Sequence, residues 1–466
     1  MVNDKGIENL KNYINILRAR ICGNTPSPSI VDLILETARE CSCKVIDLDE
    51  LFYIQKGEEP LAILHLNIDT QSDISFEIMD NDNEETIISK ASINLISSAI
   101  IVNYLLLHSD LSFDVLISYS NIQTKIEDYR EISSLIRTNN IINLNLRKSD
   151  ALADEFSSLL LSLITVPVER FQPDYSYKTY RLSINNLMGG HAGDNINKIR
   201  KNSIKMIIGF FRKLKSKVDL EMISISGGDR YDNIPSYADL EFIINSEYAN
   251  DLLNAFEIFK NEEIEKNLRY EPDMKFTCEE ICEKNIGTIT SESFNHLASF
   301  IELCPSGTFT VNSLDNQIIS SSNLSTIRSL KSSINMILVF RSLTEEGMRQ
   351  MLEKSTLASK ISQSYLEEKV YISSWKNSDK GLTNVFVDAY KDLYDEELDV
   401  IKTQYSLDSS IVFKNLNVKI VSLGVKYKQD DQYFQTQIKD ILRVVDLIEN
   451  ALQRLKENKE RLWPKH

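Results

Sequence analysis

Apolar residues recur in the first third of the chain at helical and strand spacings. Ile7, Leu10, Ile14 and Leu17 are three or four residues apart, which predicts an amphipathic helix over residues 7–21. The continuous apolar run 61–68 predicts a strand that is covered on both faces. Similar patterns predict further helices at 30–41 and 92–107 and further strands at 44–47, 51–55, 113–118 and 141–146. This alternation predicts an α/β domain in which helices cover a mixed or parallel sheet.

The pattern changes near residue 174. Strands are predicted at 177–185, 220–226, 236–245, 307–322 and 333–341, and helices at 195–215 and 248–262. Strands that return antiparallel between helices predict an α+β domain whose two helices lie on one sheet face. After a helix at 344–357, the chain returns to strands at 370–375, 399–403 and 418–423 and to helices at 383–393 and 436–457. We therefore expect an α/β, mixed-sheet domain formed by residues 1–173 and 370–466, interrupted by an inserted α+β domain at 174–369.

Length and charge limit the possible classes of function. A chain of 466 residues exceeds the size at which a single hydrophobic core keeps growing, which agrees with two domains. The net charge of -16 argues against binding to nucleic acid or to an anionic membrane. Six scattered cysteines and the lack of a long uncharged segment are typical of a cytoplasmic protein with reduced thiols.

The segment Gly189–Gly193 holds three glycines and one histidine in five positions. Glycine lets a backbone turn tightly, so His191 can be presented to a ligand. A plain alternative is that His191 caps the predicted helix that follows it. The residues of this segment leave both readings open.

This segment is similar to the Gly-Gly-His-Ser/Ala-Gly motif of the M20-type metallopeptidases, above all to their Xaa-His dipeptidase branch, the cytosol non-specific dipeptidases. Weaker matches to the same branch follow in the same order at Gly227–Ala238, at Pro305–Gly307 with Ser321–Leu324, and at Phe340–Ser342. The resemblance implies a zinc-peptidase-like domain interrupted by a lid or dimerisation domain, and a homodimer formed through that lid. It also implies that His191, Asn233 and Arg341 are candidate substrate-binding residues. Asn233 could instead satisfy its own turn, and Arg341 could pair with an acid at a strand end.

The metal-binding motifs of that family are mostly lost in this chain. The strand-end His-x-Asp reads His65-Leu66-Asn67, so His65 occupies a vestigial metal position without its orienting acid. The bridging aspartate aligns with Asn94/Leu95, the Glu-Glu pair with Ser120/Asn121, and a further aspartate with Asn145. A further motif of the family appears as Gln404–Asp408. No histidine lies between His296 and His466 that could supply the histidine ligand of the family's C-terminal motif. Amides and hydroxyls in place of carboxylates remove most of the charge that holds two divalent ions.

Three hypotheses follow from this pattern. The first is a catalytically inactive dipeptidase homologue that binds no cofactor and keeps a weak peptide-binding or partner-binding cleft. The second is an active hydrolase with zinc, manganese or cobalt in a site rebuilt from other acids. The candidates for that site are Asp69, Asp73, Asp80, Asp408 and Asp430. The third is a purely structural or interaction protein on the same fold.

Overall fold

This computed structural model describes residues 4–23, 29–48, 51–68, 76–81, 84–89, 93–119, 131–146, 150–282, 287–406, 409–413, 416–430 and 433–462. The helices are α1 (Asp4–Gly23), α2 (Ile30–Glu40), α3 (Ile93–His108), α4 (Ala192–Asn195), α5 (Ser203–Lys215), α6 (Ala249–Asn267), α7 (Ser291–Leu303), α8 (Glu345–Ile361), α9 (Gly381–Tyr394), α10 (Ser409–Val412) and α11 (Ile438–Leu462). Within these residues, no helix is both long and apolar enough to cross a bilayer.

The strands up to residue 191 are β1 (Lys44–Asp47), β2 (Leu51–Lys56), β3 (Ile63–Ile68), β4 (Phe76–Asn81), β5 (Glu84–Ser89), β6 (Phe113–Tyr119), β7 (Asn140–Asn143), β8 (Ala151–Phe156), β9 (Ser158–Pro167), β10 (Arg170–Phe171), β11 (Tyr177–Asn185) and β12 (Gly190–His191). Those that follow are β13 (Leu220–Gly227), β14 (Asn233–Ile234), β15 (Ala238–Asn245), β16 (Lys275–Ile281), β17 (Thr288–Ile289), β18 (Gly307–Val311), β19 (Ile318–Ser329), β20 (Ser333–Ser342), β21 (Tyr365–Ile372), β22 (Trp375–Lys376), β23 (Asp399–Thr403), β24 (Lys419–Ser422), β25 (Lys428–Asp430) and β26 (Tyr433–Gln437).

The chain folds into two units. Unit 1 comprises residues 1–156, 375–402 and 407–466, and unit 2 comprises residues 157–374 and 403–406. Unit 2 includes β9, which precedes residue 174, because β9 pairs with both β20 and β21 over most of its length.

Unit 1 is organised around a mixed sheet with the strand order β1-β2-β6-β3-β7-β24-β8-β22, with β23 beside β8. The central strands β6, β3, β7 and β24 run parallel, and the outer pairs are antiparallel. Apolar residues on both faces of β3 explain its central place, since Leu64 packs in one core and Ile63 in another. Because β3, β6 and β7 are parallel, their carboxyl ends meet at one edge of the sheet.

Helices α1, α2, α3, α9 and α11 contribute to the core on the Leu64 face. Helix α2 starts where the sequence predicts, because Ser29 and Asp32 form a reciprocal capping box. A separate antiparallel sheet in unit 1 has the order β25-β26-β5-β4.

Unit 2 is an antiparallel sheet with the order β16-β11-β15-β13-β19-β20-β9-β21, with β18 beside β19. Residues from alternate positions of this sheet form one core with α5, α6, α7 and α8. The sequence predicts two helices on this sheet, whereas the structure has four. Helix α7 was not predicted, and α8 was predicted at 344–357 but was not assigned to the sheet. Helix α7 begins after Thr290, whose hydroxyl accepts a hydrogen bond from Ser293 N at 3.2 Å.

The single helix predicted at 195–215 is wrong. Helix α4 ends at Asn195, and α5 starts only at Ser203. The segment between the two helices makes hydrogen bonds that a continuous helix could not make. Lys201 N donates to the Glu271 carboxylate at 2.8 Å, and the Asn202 side chain caps the start of α5.

Candidate functional site

His65 lies on the central strand β3 of unit 1, in register with Leu116 of β6 and Asn143 of β7. Its side chain is fully buried, and its ring meets that of Phe413 edge-on at 6.0 Å between centroids. The position where the family resemblance implies a metal ligand is therefore closed to solvent in unit 1.

Serine hydroxyls engage both ring nitrogens of His65. The Nδ1 atom lies 2.6 Å from Ser409 Oγ, and the Nε2 atom lies 2.8 Å from Ser118 Oγ. Burial lowers the pKa of His65 from its ordinary 6.5 to about 3. His65 is therefore neutral near pH 7.

The hydrogen bonds continue into three more polar side chains. Ser118 Oγ donates to Asn67 Oδ1 at 3.4 Å, and Asn143 Nδ2 donates to Ser409 Oγ at 3.3 Å. Ser422 Oγ donates to Asn143 Oδ1 at 2.7 Å. We call this set the His65 network; its members are His65, Asn67, Ser118, Asn143, Ser409 and Ser422.

One placement of protons satisfies the whole His65 network. If Nε2 of His65 carries the ring proton, it donates to Ser118, which leaves the Ser118 hydroxyl to donate to Asn67. The Nδ1 atom then accepts from Ser409, whose oxygen accepts from Asn143. Each serine hydroxyl of the network thus donates one hydrogen bond, and no member carries a charge near pH 7.

The described side chains at this position do not fit a pair of divalent ions. Such a pair needs carboxylates and imidazoles with free lone pairs, whereas the His65 network offers neutral hydroxyls, amides and an imidazole already bonded at both nitrogens. Over the parts of the chain that the structure describes, no three His, Cys, Asp or Glu side chains form a group able to hold a metal ion.

Several acids of the rebuilt-site hypothesis fall outside the described residues, namely Asp69, Asp73 and Asp408, as do Ser120 and Asn121. Asp80 and Asp430 are on described strands, β4 and β25, at opposite edges of the four-stranded sheet. Three inter-strand spacings separate these strands, roughly 14 Å.

His191 begins a short helix in unit 2. The backbone around it is tightly turned, with positive φ angles of 52° at Gly189 and 104° at Gly190. The Nδ1 atom of His191 accepts a hydrogen bond from Gly193 N at 3.1 Å, so the plain reading of His191 as a helix cap is observed.

Tyr405 stacks on His191, with 5.0 Å between ring centroids and 23° between the planes. Asn233 is the direct partner of His191 across the β12–β14 pair, and its carbonyl accepts from Asn323 Nδ2 at 2.7 Å. The neighbouring Asp232 is largely buried, which alone would raise its pKa, but hydrogen bonds and charge from Arg230 outweigh this effect and lower the pKa.

Arg341 lies on β20 and is 4% exposed. Its Nη1 donates to the carbonyl of Gln404 at 3.1 Å. The Gln404 side chain in turn donates to Ile318 O at 2.9 Å and accepts from Ser321 Oγ at 3.3 Å.

These contacts bring together residues from most of the segments that carry the family resemblance. We call the set the His191 cluster; its members are His191, Asn233, Asn323, Arg341, Gln404 and Tyr405. The sequence prediction named His191, Asn233 and Arg341 as candidates, and it missed the roles of Gln404 and Tyr405. The signal for both residues was the match at 404–408, which the sequence prediction interpreted only as a lost metal-binding motif.

Glu271 is a further residue that sequence reasoning missed. It is 1% exposed, and its carboxylate accepts from Met188 N at 2.6 Å and from Lys201 N at 2.8 Å. Since these amides flank the Gly189–Gly193 segment on both sides, Glu271 holds the segment that presents His191.

Peptidases are among the known proteins that are similar to this chain. No family model matches the chain. Over 255 residues, 53% of this chain and 52% of the relative, the sequence is 20% identical to a cytosol non-specific dipeptidase of Escherichia coli (strain K12). The chain thus spans about half the length of that curated relative.

The structure is similar to an aminoacylhistidine dipeptidase from Vibrio alginolyticus, with a TM-score of 0.65 at 15% identity over 90% of this chain and 91% of that chain. The resemblance to the M20-type dipeptidases is confirmed. A tripeptidase from Staphylococcus aureus subsp. aureus mu50 is also similar, with a TM-score of 0.53 at 9% identity over 98% of this chain and 100% of that chain. The mixed α/β architecture of this chain is therefore that of the M20-type fold.

Proposed function

We propose that the chain is a catalytically inactive M20-type dipeptidase homologue that keeps a weak peptide-binding cleft. The observation that carries the proposal is the His65 network, in which neutral hydroxyls and amides surround a buried, neutral imidazole. A metal-dependent hydrolase needs charged ligands for its ions and a base for its water, and the described residues around His65 supply neither.

The hydrogen bonds of the His65 network add to this argument. A buried polar group stays stable only when its hydrogen bonds are satisfied, and the network satisfies its own members without an ion. If a side chain of the network bound a metal instead, its hydrogen-bond partner would be left buried and unsatisfied. The network thus favours a structural role for residues that the family uses in chemistry.

The peptide-binding part of the proposal rests on the His191 cluster. His191 is half-buried, its ring accepts the cap hydrogen bond from Gly193 N, and it stacks on Tyr405. Such a cleft lacks ions to polarise a carbonyl, so we expect a Kd in the high micromolar to millimolar range, on the order of 4 to 6 kcal/mol. Homodimerisation and a cytoplasmic location belong to the same proposal.

Metal analysis and a hydrolysis assay test the inactive state. Purified protein, after incubation with zinc, manganese or cobalt and desalting, is expected to retain no stoichiometric pair of ions and to cleave no Xaa-His or other dipeptide. Two bound ions per chain, or turnover that a chelator abolishes, would contradict the proposal. Turnover that His65→Gln abolishes and the control His108→Gln keeps would assign that activity to the position of His65 and would also contradict the proposal.

Titration with short peptides tests the cleft. Calorimetry or NMR with Gly-His and Ala-His should detect weak binding to the wild type and to His108→Ala, and a Kd raised at least roughly threefold in His191→Ala because the imidazole ring is removed from the His191 cluster. Equal binding by all three proteins, or binding by none, would leave a scaffold or partner-binding protein in place of a peptide-binding one.

A further inference from the structure

Two cysteines lie on either side of Ser42, where α2 ends and β1 begins. Cys41 is the residue at the carboxyl cap of α2, and β1 starts directly after Cys43. Both cysteines are free thiols and partly exposed to solvent, and Ser42 between them is exposed. We call this pair the Cys41–Cys43 dithiol. It lies in unit 1 and shares no residue with the His65 network.

The backbone between the two cysteines forms a tight turn. Ser42 has a φ angle of 56°, which lies in the left-handed region. Two backbone hydrogen bonds to α2 close the turn: Ser42 N donates to Arg39 O at 2.9 Å, and Cys43 N donates to Ala38 O at 2.8 Å. These bonds fix the backbone of Ser42 and Cys43 against the last turn of the helix.

This turn favours a disulfide between Cys41 and Cys43. Residues two apart in extended backbone have Cα atoms about 6.6 to 7.2 Å apart. Disulfides usually join Cα atoms that are about 4.4 to 6.8 Å apart, so a turn that shortens the extended separation brings the pair into this range. The sulfur of Cys43 also lies beside the backbone of Cys41, since Cys43 Sγ donates to Cys41 O at 3.9 Å.

The neighbours of the dithiol make the two thiols unequal. Burial raises the pKa of Cys43, and Cys41 adds to this effect; the Lys56 ammonium opposes it, and Asp114 raises the pKa further by a smaller amount. Lys56 is held in place, because its Nζ donates to two backbone carbonyls of α3 at 3.0 and 2.9 Å. Cys43 therefore keeps its proton, which leaves Cys41 as the first nucleophile.

The short loop between the cysteines argues for a reversible bond. A disulfide stabilises a fold more when it closes a longer loop, and only Ser42 lies between Cys41 and Cys43. A permanent structural role would therefore contribute little. Disulfides that form between partly exposed thiols in a reducing compartment are usually transient and respond to the redox state of the surrounding thiols.

We propose that Cys41 and Cys43 form a reversible disulfide by exchange with a low-molecular-weight disulfide such as glutathione disulfide. The Cys41 thiolate attacks one sulfur of that molecule, a mixed disulfide forms, and one glutathione leaves and takes up the proton that Cys41 has lost. Cys43 then loses its proton and attacks the sulfur of Cys41, so that the mixed disulfide breaks and the second glutathione leaves with that proton. Two protein thiols are thus oxidised to one disulfide, and one glutathione disulfide is reduced to two thiols. This site goes beyond the proposed function, because neither a peptide ligand nor a metal takes part.

Equilibration of the protein with mixtures of reduced and oxidised glutathione tests the proposal. After quenching and labelling with N-ethylmaleimide, trypsin cleaves after Arg39 and Lys44 and releases the peptide Glu40–Lys44, which contains both cysteines of the dithiol and no other. In the oxidising mixture we expect this peptide to be unlabelled and about 2 Da lighter than its reduced form, through the loss of two hydrogen atoms. Prior reduction should restore two labels. The equilibrium constant for bond formation should be at least roughly threefold greater in the folded protein than in urea, because the turn at Ser42 holds the thiols together.

Variants then assign the bond. Cys41→Ser and Cys43→Ser should each lose the lighter peptide and carry a glutathione adduct on the remaining cysteine, whereas the exposed control Cys282→Ser should be oxidised like the wild type. All three reduced variants should keep the circular dichroism spectrum of the wild type. A stable glutathione adduct on either cysteine of the wild type, a bond between two chains, or equal equilibrium constants in folded and unfolded protein would overturn the proposal. Since these measurements involve neither binding nor cleavage of a peptide ligand, this site can fail while the proposed function stands, and the reverse.

Discussion

At the scale of single residues, His65 makes the stability of unit 1 depend on pH in a defined window. Burial lowers the pKa of folded His65 to about 3, whereas the side chain of the unfolded chain has its ordinary value of 6.5. Between these values the unfolded chain binds the extra proton, so acidification favours unfolding. The contribution of neutral His65 to the free energy of unfolding is therefore complete above pH 6.5 and is lost progressively as the pH falls toward 3.

We expect the free energy of unfolding to fall by about 2 to 3 kcal/mol between pH 7 and pH 4.5 through this one group. Urea unfolding of the wild type, His65→Gln and the control His108→Gln at both pH values measures it. His65→Gln should be less stable than the wild type at pH 7, yet it should lose less stability on acidification. An identical pH dependence in all three proteins would show that His65 does not titrate in this way.

At the scale of elements, the end of β24 packs closely against the segment after β7. Leu146 N donates to Leu423 O at 3.1 Å, and Leu423 N donates to Asn143 O at 2.8 Å. A methyl group added at Gly424 would overlap the backbone carbonyl of Leu146. Since backbone cannot move aside as a flexible side chain does, only glycine fits at position 424.

Gly424→Ala should therefore destabilise the protein by roughly 2 to 4 kcal/mol, because it separates the strand ends that carry Asn143 and Ser422. The matched control is Gly209→Ala in α5, where an added methyl meets no atom within 4 Å. That change should be neutral or stabilise by about 0.5 to 1 kcal/mol, as alanine is the better helix former. Chemical denaturation compares the two, and equal stability of both variants would contradict the close packing at Gly424.

At the scale of the whole molecule, helix α6 of unit 2 is the surface that we propose for homodimerisation. Helix α6 has 19 residues, of which only Leu252, Phe256 and Asn267 are buried. Leu253 and Leu268 are 41% and 56% exposed and lie about four turns apart on the same side. The edge strand β21 is less suited, because its charged residues and its bulge after Glu368 oppose strand addition.

We expect a homodimer at micromolar concentration that Leu253→Glu combined with Leu268→Glu converts to a monomer. The control is Leu314→Glu, at a position that is 92% exposed and away from α6, and it should leave the dimer intact. Light scattering coupled to size-exclusion chromatography measures the mass. A wild-type monomer, or a dimer that persists in the double variant, would contradict this assignment of the interface.

Local periodicity determined most of the helices and strands of this protein, because a 3.6-residue or two-residue repeat and a capping residue are properties of neighbouring positions. The helix after Ser29 and the buried strand at 61–68 are examples, and the motif order around His191 pointed to the fold. The interruption between α4 and α5 was not predictable, since it depends on Glu271, which is distant in sequence.

The state of the candidate sites was decided only by the tertiary structure. The sequence showed that acids are missing near His65, but His65 is held by Ser409, which is 344 residues away along the chain. The stacking of Tyr405 on His191 and the bond from Arg341 to Gln404 likewise join segments that no local spacing connects. Hydrogen bonds and ring contacts act over a few ångströms in space, so the partners of a side chain become known only when the fold has brought distant segments together.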